Sequence, residues 1–551
     1  MKRQRVEAAE PPAGPSGTPG AQPQPAPSLD RILRLSWPKV ALGLVSALAL
    51  FGAFPPLDLG ALAWFALIPL FFALTQLRPR GGLALGLIFG FAFMGLYALF
   101  MLNYGLIAWI ASAGFSALFF GLFGLVAAMC NRTPHPALRA LSVASAWSLV
   151  EMLRGGVGAF GFTVGNLGYT QHSQLAILQS ASMVGHFGVG FFIALINSAV
   201  AQVLLAIAPG MLARPRMHPR QFALLAAKTA LACYIVVLLV YIWGALVMRA
   251  SPGTAGEPIR VAAVQASLGD SEGTSDQRAG EAFSTYAKLT RSVPGGLDLI
   301  VWPETALPVA LNTVQEYQER VGAFAAEMSA WLVTGAYEFR DGRVFNTLYV
   351  FSPEGELTDS YQKVILVPFG ERVPRSDRFP WLRKFALRAV DFSPGEDHRT
   401  LDLGGVQAGP LICFEGLFPN AVRTNSQLGA EFILIGTSDA WAAGTWEIEQ
   451  HSASAPLRAV EARRYMVRAA TWGRSQIIAP NGEVLSDVPV AEAGVASHEI
   501  TPRNELSAYH RWGDLPLQIV CGVLLWFGLL GLPSRESGGP AEETGGSEER
   551  S

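Results

Sequence analysis

Charge is the scarcest property of this chain. Only 15% of its 551 residues are Asp, Glu, Lys or Arg, against about 25% in ordinary soluble proteins. The 41 basic and 43 acidic residues nearly cancel to a formal net charge of −2, which leaves no overall electrostatic case for a nucleic-acid partner. Cysteine is sparse too, with Cys130, Cys233, Cys413 and Cys521 the full set. All but Cys413 sit inside apolar runs, so no disulfide framework is expected. There are 8 histidines, and His451 has no second ligand at metal spacing, so no metal is implied. Without a convincing phosphate-binding glycine loop or nicotinamide motif, no cofactor is implied either.

What the chain has instead is apolar length. Hydrophobic residues make up 51% of it, in stretches at about 38–54, 59–77, 82–101, 105–130, 138–153, 178–208, 222–247 and 515–533. Most reach the ~20 residues that a helix needs to span a bilayer; 38–54 and 138–153 are short alone but credible within a bundle. This gives eight expected spans, seven before a more polar block and one after it. Basic residues sort the loops. Lys2, Arg3, Arg5, Arg31 and Arg34 precede the first span, and Arg78, Arg80, Arg132, Arg139, Arg214, Arg216 and Arg220 follow even-numbered spans. The loops at Pro55–Asp58 and Asn103–Gly105 carry none. Both termini are therefore expected in the cytoplasm and the block between spans seven and eight on the opposite side. Residues 1–35, rich in Pro, Gly, Ala and Gln and without a cleavable signal pattern, and residues 534–551, rich in Gly, Ser and Glu, read as disordered tails.

The block at 256–510 has a different texture. Short apolar runs bounded by turns, at Ile259–Ala266, Leu297–Trp302, Trp331–Ala336, Gln407–Cys413 and Glu431–Gly436, predict buried strands. Phe345–Phe351 and Glu356–Tyr361 flank a Ser-Pro-Glu-Gly turn and predict a hairpin, as does Asn481-Gly482. Glu447–Arg468, with Glu and Arg among Ala and Val, predicts a helix. The whole reads as an α/β sandwich of roughly 250 residues, enough for its own core.

Three segments of this block carry chemistry. Val301-Trp302-Pro303-Glu304-Thr305 delivers a carboxylate at a strand's C-terminal end, where α/β folds place function; a surface or helix-start acid is the plain alternative. Lys363, after a strand and before an apolar run, can supply fixed positive charge to an oxyanion, or be an ordinary surface lysine. Gly409-Pro410-Leu411-Ile412-Cys413-Phe414-Glu415-Gly416 has the layout of a nucleophile elbow, against the alternative of a buried structural cysteine.

Glu304, Lys363 and Cys413, in that order and each after a strand, resemble the catalytic set of the carbon–nitrogen hydrolase (nitrilase) superfamily. Placed between seven apolar spans and one, the block is similar to that of the apolipoprotein N-acyltransferase family. Further motifs carry the likeness: Phe54-Pro55-Pro56-Leu57, Trp147-Ser148-Leu149-Val150-Glu151, Gly168-Tyr169-Thr170-Gln171, Gly185-His186-Phe187-Gly188, Val367-Pro368-Phe369-Gly370-Glu371, Asp439-Ala440-Trp441, Gln450-His451, Arg458-Ala459-Val460-Glu461 and Arg511-Trp512-Gly513-Asp514. Phe414, Ser438 and Thr471 stand where that family usually has Tyr, Asn and Asn.

The resemblance implies a polytopic helical membrane bundle of about eight transmembrane helices plus a nitrilase-like αββα sandwich. Its divisions are 36–250 (seven-helix domain), 256–505 (catalytic domain) and 512–533 (last membrane helix), with cytoplasmic tails at 1–35 and 534–551. It implies an acyltransferase of the bacterial inner membrane with its catalytic domain in the periplasm. Cys413 takes an acyl chain from a phospholipid as a thioester and passes it to the N-terminal amine of a diacylated apolipoprotein. In that scheme Glu304 is the base, Lys363 stabilises the oxyanion, Glu371 and Glu415 orient the site, Phe414 keeps the ring of the replaced Tyr, and Trp441 lines the acyl path. A membrane-anchored amidase that passes the thioester to water is the competing expectation.

Overall fold

A computed structural model describes residues 35–158, 161, 163–207, 217–249, 256–268, 274–386 and 391–531. The expected tails at 1–35 (apart from Leu35) and 534–551 lie outside the described residues, as do Arg214 and Arg216. The N-terminal half is helical, with helices at Trp37–Gly52, Pro79–Tyr97, Leu106–Cys130, Pro136–Gly155, Ala181–Ile207 and Pro219–Arg249; Leu515–Leu530 returns after the sandwich. Proline at the first or second position opens several of them, where its missing N–H is no loss.

Among the described residues, four helices are long and apolar enough to cross a membrane: Pro79–Tyr97, Leu106–Cys130, Ala181–Ile207 and Pro219–Arg249. Trp37–Gly52, Gly60–Leu74 and Leu515–Leu530 are apolar but shorter, and Pro136–Gly155 contains Arg139, Glu151 and Arg154. The stretch expected at 59–77 is broken into Gly60–Leu62, Ala63–Ala66 and Ile68–Leu74. Asn197 fills the break: its Oδ1 accepts from Leu67 N at 2.9 Å and its Nδ2 donates to Ala63 O at 3.0 Å. A side-chain amide thus replaces the helical bond that the chain gives up, as an apolar environment demands.

Close packing holds the bundle. Gly82, Gly86 and Gly90 lie one turn apart on Pro79–Tyr97, and a methyl on any of them would overlap Gly124, Phe120 or Ala117 of Leu106–Cys130. Small residues at this spacing let two backbones touch where no hydrophobic driving force separates helix from lipid.

The block between is a sandwich of two sheets. Its strands are β1 (Ile259–Gln265), β2 (Leu299–Val301), β3 (Leu307–Ala310), β4 (Trp331–Arg340), β5 (Arg343–Phe351), β6 (Leu357–Gln362), β7 (Leu401–Leu403), β8 (Val406–Ile412), β9 (Phe432–Thr437), β10 (Met466–Ala470), β11 (Ser475–Ile478), β12 (Val484–Val488) and β13 (Gly494–Ile500). One sheet runs β13-β1-β2-β4-β5-β6, with β3 on β4; the other runs β12-β11-β10-β9-β8-β7. Both expected hairpins, β5–β6 and β11–β12, are present. Val261, Leu299, Val333, Leu348, Ile412, Leu434 and Val467 fill the space between the sheets. Helices Ser275–Arg291 and Gln315–Met328 cover one outer face, and Pro419–Gln427 and Ser454–Ala462 the other.

The helix expected over Glu447–Arg468 is shorter. It runs as Glu447–Ser452 and Ser454–Ala462, turns at Arg463 in the left-handed region (φ 56°), and continues as β10. Met466–Ala470 pairs parallel with β9 and antiparallel with β11. A wholly buried place in the sheet outweighs the local helical preference of Arg and Ala.

Candidate active site

Glu304 lies just past β2, Lys363 directly follows β6 and Cys413 directly follows β8. The sandwich brings the three together. Lys363 Nζ sits 2.9 Å from Glu371 Oε1 and 3.4 Å from Glu304 Oε1, with all three side chains buried. Cys413 is buried and feels the charges of both Glu304 and Lys363. Its backbone is left-handed, φ 52°, between strand β8 and the turn Cys413–Leu417. This is the strained strand-to-turn geometry of an elbow, which projects the thiol off the sheet end. Gly335 on β4 permits the close approach at the opposite wall, since a side chain there would overlap Pro303 and Glu304.

The electrostatics follow from burial. Burial, then the Glu304 carboxylate, pushes the Cys413 thiol well above its ordinary range, with Lys363 opposing. The resting group is the neutral thiol, which becomes a nucleophile only on losing its proton. Burial disfavours the Lys363 ammonium, yet Glu371, Glu304 and Cys413 together overcome it and raise its pKa. It is a permanent cation.

The two supporting acids act on backbone. Glu371 Oε2 accepts from Val367 N at 2.8 Å while its Oε1 holds Lys363. Glu415 accepts from Val364 N (2.8 Å), Ile365 N (2.9 Å), Ile412 N (2.8 Å) and Tyr361 Oη (3.0 Å). One carboxylate thereby fixes the segment after Lys363 to the elbow of Cys413. Burial raises its pKa to about 7 against those hydrogen bonds. Half-buried Phe414 meets Phe418 edge-on at 4.9 Å and packs on the core of the helical bundle. Half-buried Trp441 meets Phe100, from the connection after helix Pro79–Tyr97, at 5.6 Å.

Sequence reasoning missed several partners. Asn346 donates to Glu304 Oε1 at 2.6 Å, and Ser438 N donates to Glu304 Oε2 at 2.6 Å. A lone amide inside the buried strand β5 was the available signal for Asn346; the Ser438 contact is backbone and left none. Asp439 accepts from Thr437 Oγ1 (3.0 Å) and Arg468 (2.8 Å) and pairs with His451 Nδ1 (2.9 Å), all buried. Burial opposes its charge, but Arg468 and His451 hold its carboxyl well below the usual range. Among the described residues no group of His, Cys, Asp and Glu could hold a metal ion.

The site is joined to the bundle by its own elbow. Leu417 is buried in the bundle core, and its carbonyl accepts from Thr163 Oγ1 at 3.2 Å and Tyr169 Oη at 3.3 Å. A second joint pairs two sequence motifs: Glu461 Oε1 accepts from His186 N at 2.8 Å and lies 3.1 Å from its Nδ1. A third links Gln450 Nε2 to Pro55 O at 3.0 Å.

Two facing sheets with flanking helices, carrying a buried thiol, ammonium and carboxylate at their strand ends and docked on an apolar helical bundle, form a nitrilase-like α/β domain attached to apolar helices. The Carbon-nitrogen hydrolase family model matches residues 260–509, and that of the Apolipoprotein N-acyltransferase N-terminal domain matches 46–199. The apolipoprotein N-acyltransferase of Geobacter metallireducens is 30% identical over 89% of this chain and 94% of its own. That of Pseudomonas putida is 31% identical over 91% and 98%. A mutant of the Nesterenkonia AN1 amidase from the nitrilase superfamily is a solved structure 21% identical over 49% of this chain and 98% of its own, with a TM-score of 0.37. The chain belongs to the apolipoprotein N-acyltransferase family, and is an acyltransferase of the carbon–nitrogen hydrolase superfamily.

Proposed function

We propose that this protein is a phospholipid-dependent apolipoprotein N-acyltransferase working through a thioester on Cys413. Glu304 takes the thiol proton as Sγ attacks the ester carbonyl of a phospholipid, and Lys363 stabilises the oxyanion that forms. The ester C–O bond breaks, Glu304 returns the proton to the departing alkoxide, and a lysophospholipid leaves. The free α-amine of a diacylglyceryl-cysteine lipoprotein then attacks the thioester. A C–N bond replaces C–S, and the amine proton passes through Glu304 to the thiolate. Glu371 and Glu415 position Lys363 and the elbow, while Phe414 and Trp441 line the route of the acyl chain.

One observation carries this reading: Lys363 is clamped between Glu304 and Glu371 beside a thiol whose own elbow is inserted into the apolar bundle. Extracting an acyl chain into water costs about 0.8 kcal/mol per CH₂, so a site built on a membrane bundle suits substrates that stay in the bilayer. In this reading eight helices span the bacterial inner membrane, seven within 36–250 and one at 512–533. Residues 256–505 form the catalytic domain on the periplasmic side, and the tails at 1–35 and 534–551 are cytoplasmic. The family likeness and the arginine-bearing loops support that arrangement.

Mass spectrometry of the purified enzyme after incubation with phospholipid tests the first half. An acyl adduct on Cys413, absent from Cys413→Ala, is expected. Adding a diacylglyceryl-cysteine peptide then discharges the adduct as amide. Equal labelling of both proteins, or discharge to free fatty acid with the peptide unmodified, would overturn the reading.

A further inference from the structure

The short helix Glu447–Ser452 and Trp446 just before it carry three polar atoms that the mechanism leaves unused. Trp446 Nε1, Glu447 Oε2 and Gln450 Oε1 are buried and have no hydrogen-bond partner among the described residues. Glu447 and Gln450 are 5% and 4% exposed. Gln450 is four residues from Trp446 and three from Glu447, so it lies one turn from each. Each interacts with the bundle: Trp446 meets Phe51 at 5.8 Å, Gln450 Nε2 holds Pro55 O at 3.0 Å, and Glu447 acts electrostatically on Tyr97. Asp439, which pairs with His451 of the same helix, acts electrostatically on both Glu447 and Cys413.

We propose that Glu447, Gln450 and Trp446 form a subsite for a primary ammonium group flanked by an oxygen acceptor. An ammonium offers three donors and no acceptor, which suits the Glu447 carboxylate and the Gln450 carbonyl; the indole N–H takes the neighbouring oxygen. Buried polar groups left unpaired are costly, and such a ligand satisfies all three at once. Burial, then Asp439, holds the Glu447 carboxyl well above its ordinary range. A cation bound beside it would favour the carboxylate form and offset that burial cost.

The proposal rests on the acyl-transfer reading, in which two participants bring this chemistry to the junction of site and bundle. One is an ethanolamine headgroup beside its phosphate; the other is the acceptor's α-amine beside its first carbonyl.

The test uses the full-length enzyme with Glu447→Gln, Glu447→Asp and Trp446→Phe. Acyl-enzyme formation on Cys413 is timed with phosphatidylethanolamine and with phosphatidylglycerol, and transfer is timed to a diacylglyceryl-cysteine peptide. Losing a hydrogen bond to a charged group predicts a roughly ten- to hundredfold rise in KM for the amine-bearing substrate. The phosphatidylglycerol step should stay unchanged, and Glu447→Asp should recover part of the loss. Selective loss with phosphatidylethanolamine assigns the subsite to the donor headgroup, and selective loss with the peptide assigns it to the acceptor; loss with both assigns it to both. No change in any step, or an equal loss that includes phosphatidylglycerol, overturns the subsite. Should Glu447→Gln not fold, Trp446→Phe applies the same criteria. A wild-type enzyme that never acylates Cys413 would instead sink the underlying reading.

Discussion

The helical bundle and the sandwich solve opposite problems. The sandwich has water outside, so it buries an apolar layer between two sheets and places a carboxylate, an ammonium and a thiol where strands end, at Glu304, Lys363 and Cys413. The bundle has apolar surroundings, so hydrophobicity cannot order it; contact between glycines and backbone does, at Gly82, Gly86 and Gly90. Several of its buried polar side chains serve the seam with the sandwich or its own breaks: Thr163 and Tyr169 hold Leu417, His186 holds Glu461, and Asn197 repairs the break at Leu67. Part of the polarity within this bundle therefore marks where the sandwich is attached.

The contrast can be broken at its strongest point first. Lys363→Met should lower the rate of Cys413 acylation by about 10²–10³-fold, the usual loss for an oxyanion-stabilising group, with the bundle unaffected. A stopped-time acylation assay reads the first effect and near-native detergent elution the second. A normal rate would show that the sandwich's buried cation is structural. Gly86→Leu should do the reverse. Overpacking at a backbone contact costs about 1–3 kcal/mol, so thermal unfolding of the bundle should shift down while Glu304, Lys363 and Cys413 stay assembled. If activity at low temperature falls as steeply as stability, the two regions are one cooperative unit.

The smallest effect concerns pH. Glu415 has a folded-state pKa of about 7, above the ~4.3 of an unfolded glutamate. Between those values the folded state keeps a proton that the unfolded state has lost, so this group's contribution to stability falls as pH rises across that window. The stability advantage of wild type over Glu415→Gln should therefore shrink from pH 5 to pH 7. A gap that widens would mean that the hydrogen bonds from Val364, Ile365 and Ile412 outweigh burial.

Much of this was legible in the chain. Apolar runs predicted helices because each must bury or immerse a continuous stretch, and every stretch has a helical counterpart. Strand runs at 259–266, 407–413 and 431–436 match β1, β8 and β9 within a residue or two. Illegible were the break at Leu67, which depends on an amide 130 residues away, and the end of the helix at Ala462, where place in the sheet decides. Asn346 was also missed, as was the pairing of Asp439 with His451 and Arg468, because these contacts join residues on different elements.

The sequence by itself determined where apolar and polar stretches lie, which turns separate the strands, and which three side chains stand at strand ends. Each is a local property of neighbouring residues. The tertiary structure decided that Glu304, Lys363 and Cys413 share one buried site, that Cys413 rests as a thiol, and that its elbow docks into the bundle. Those depend on strand order and burial, which bring together groups that the chain keeps far apart.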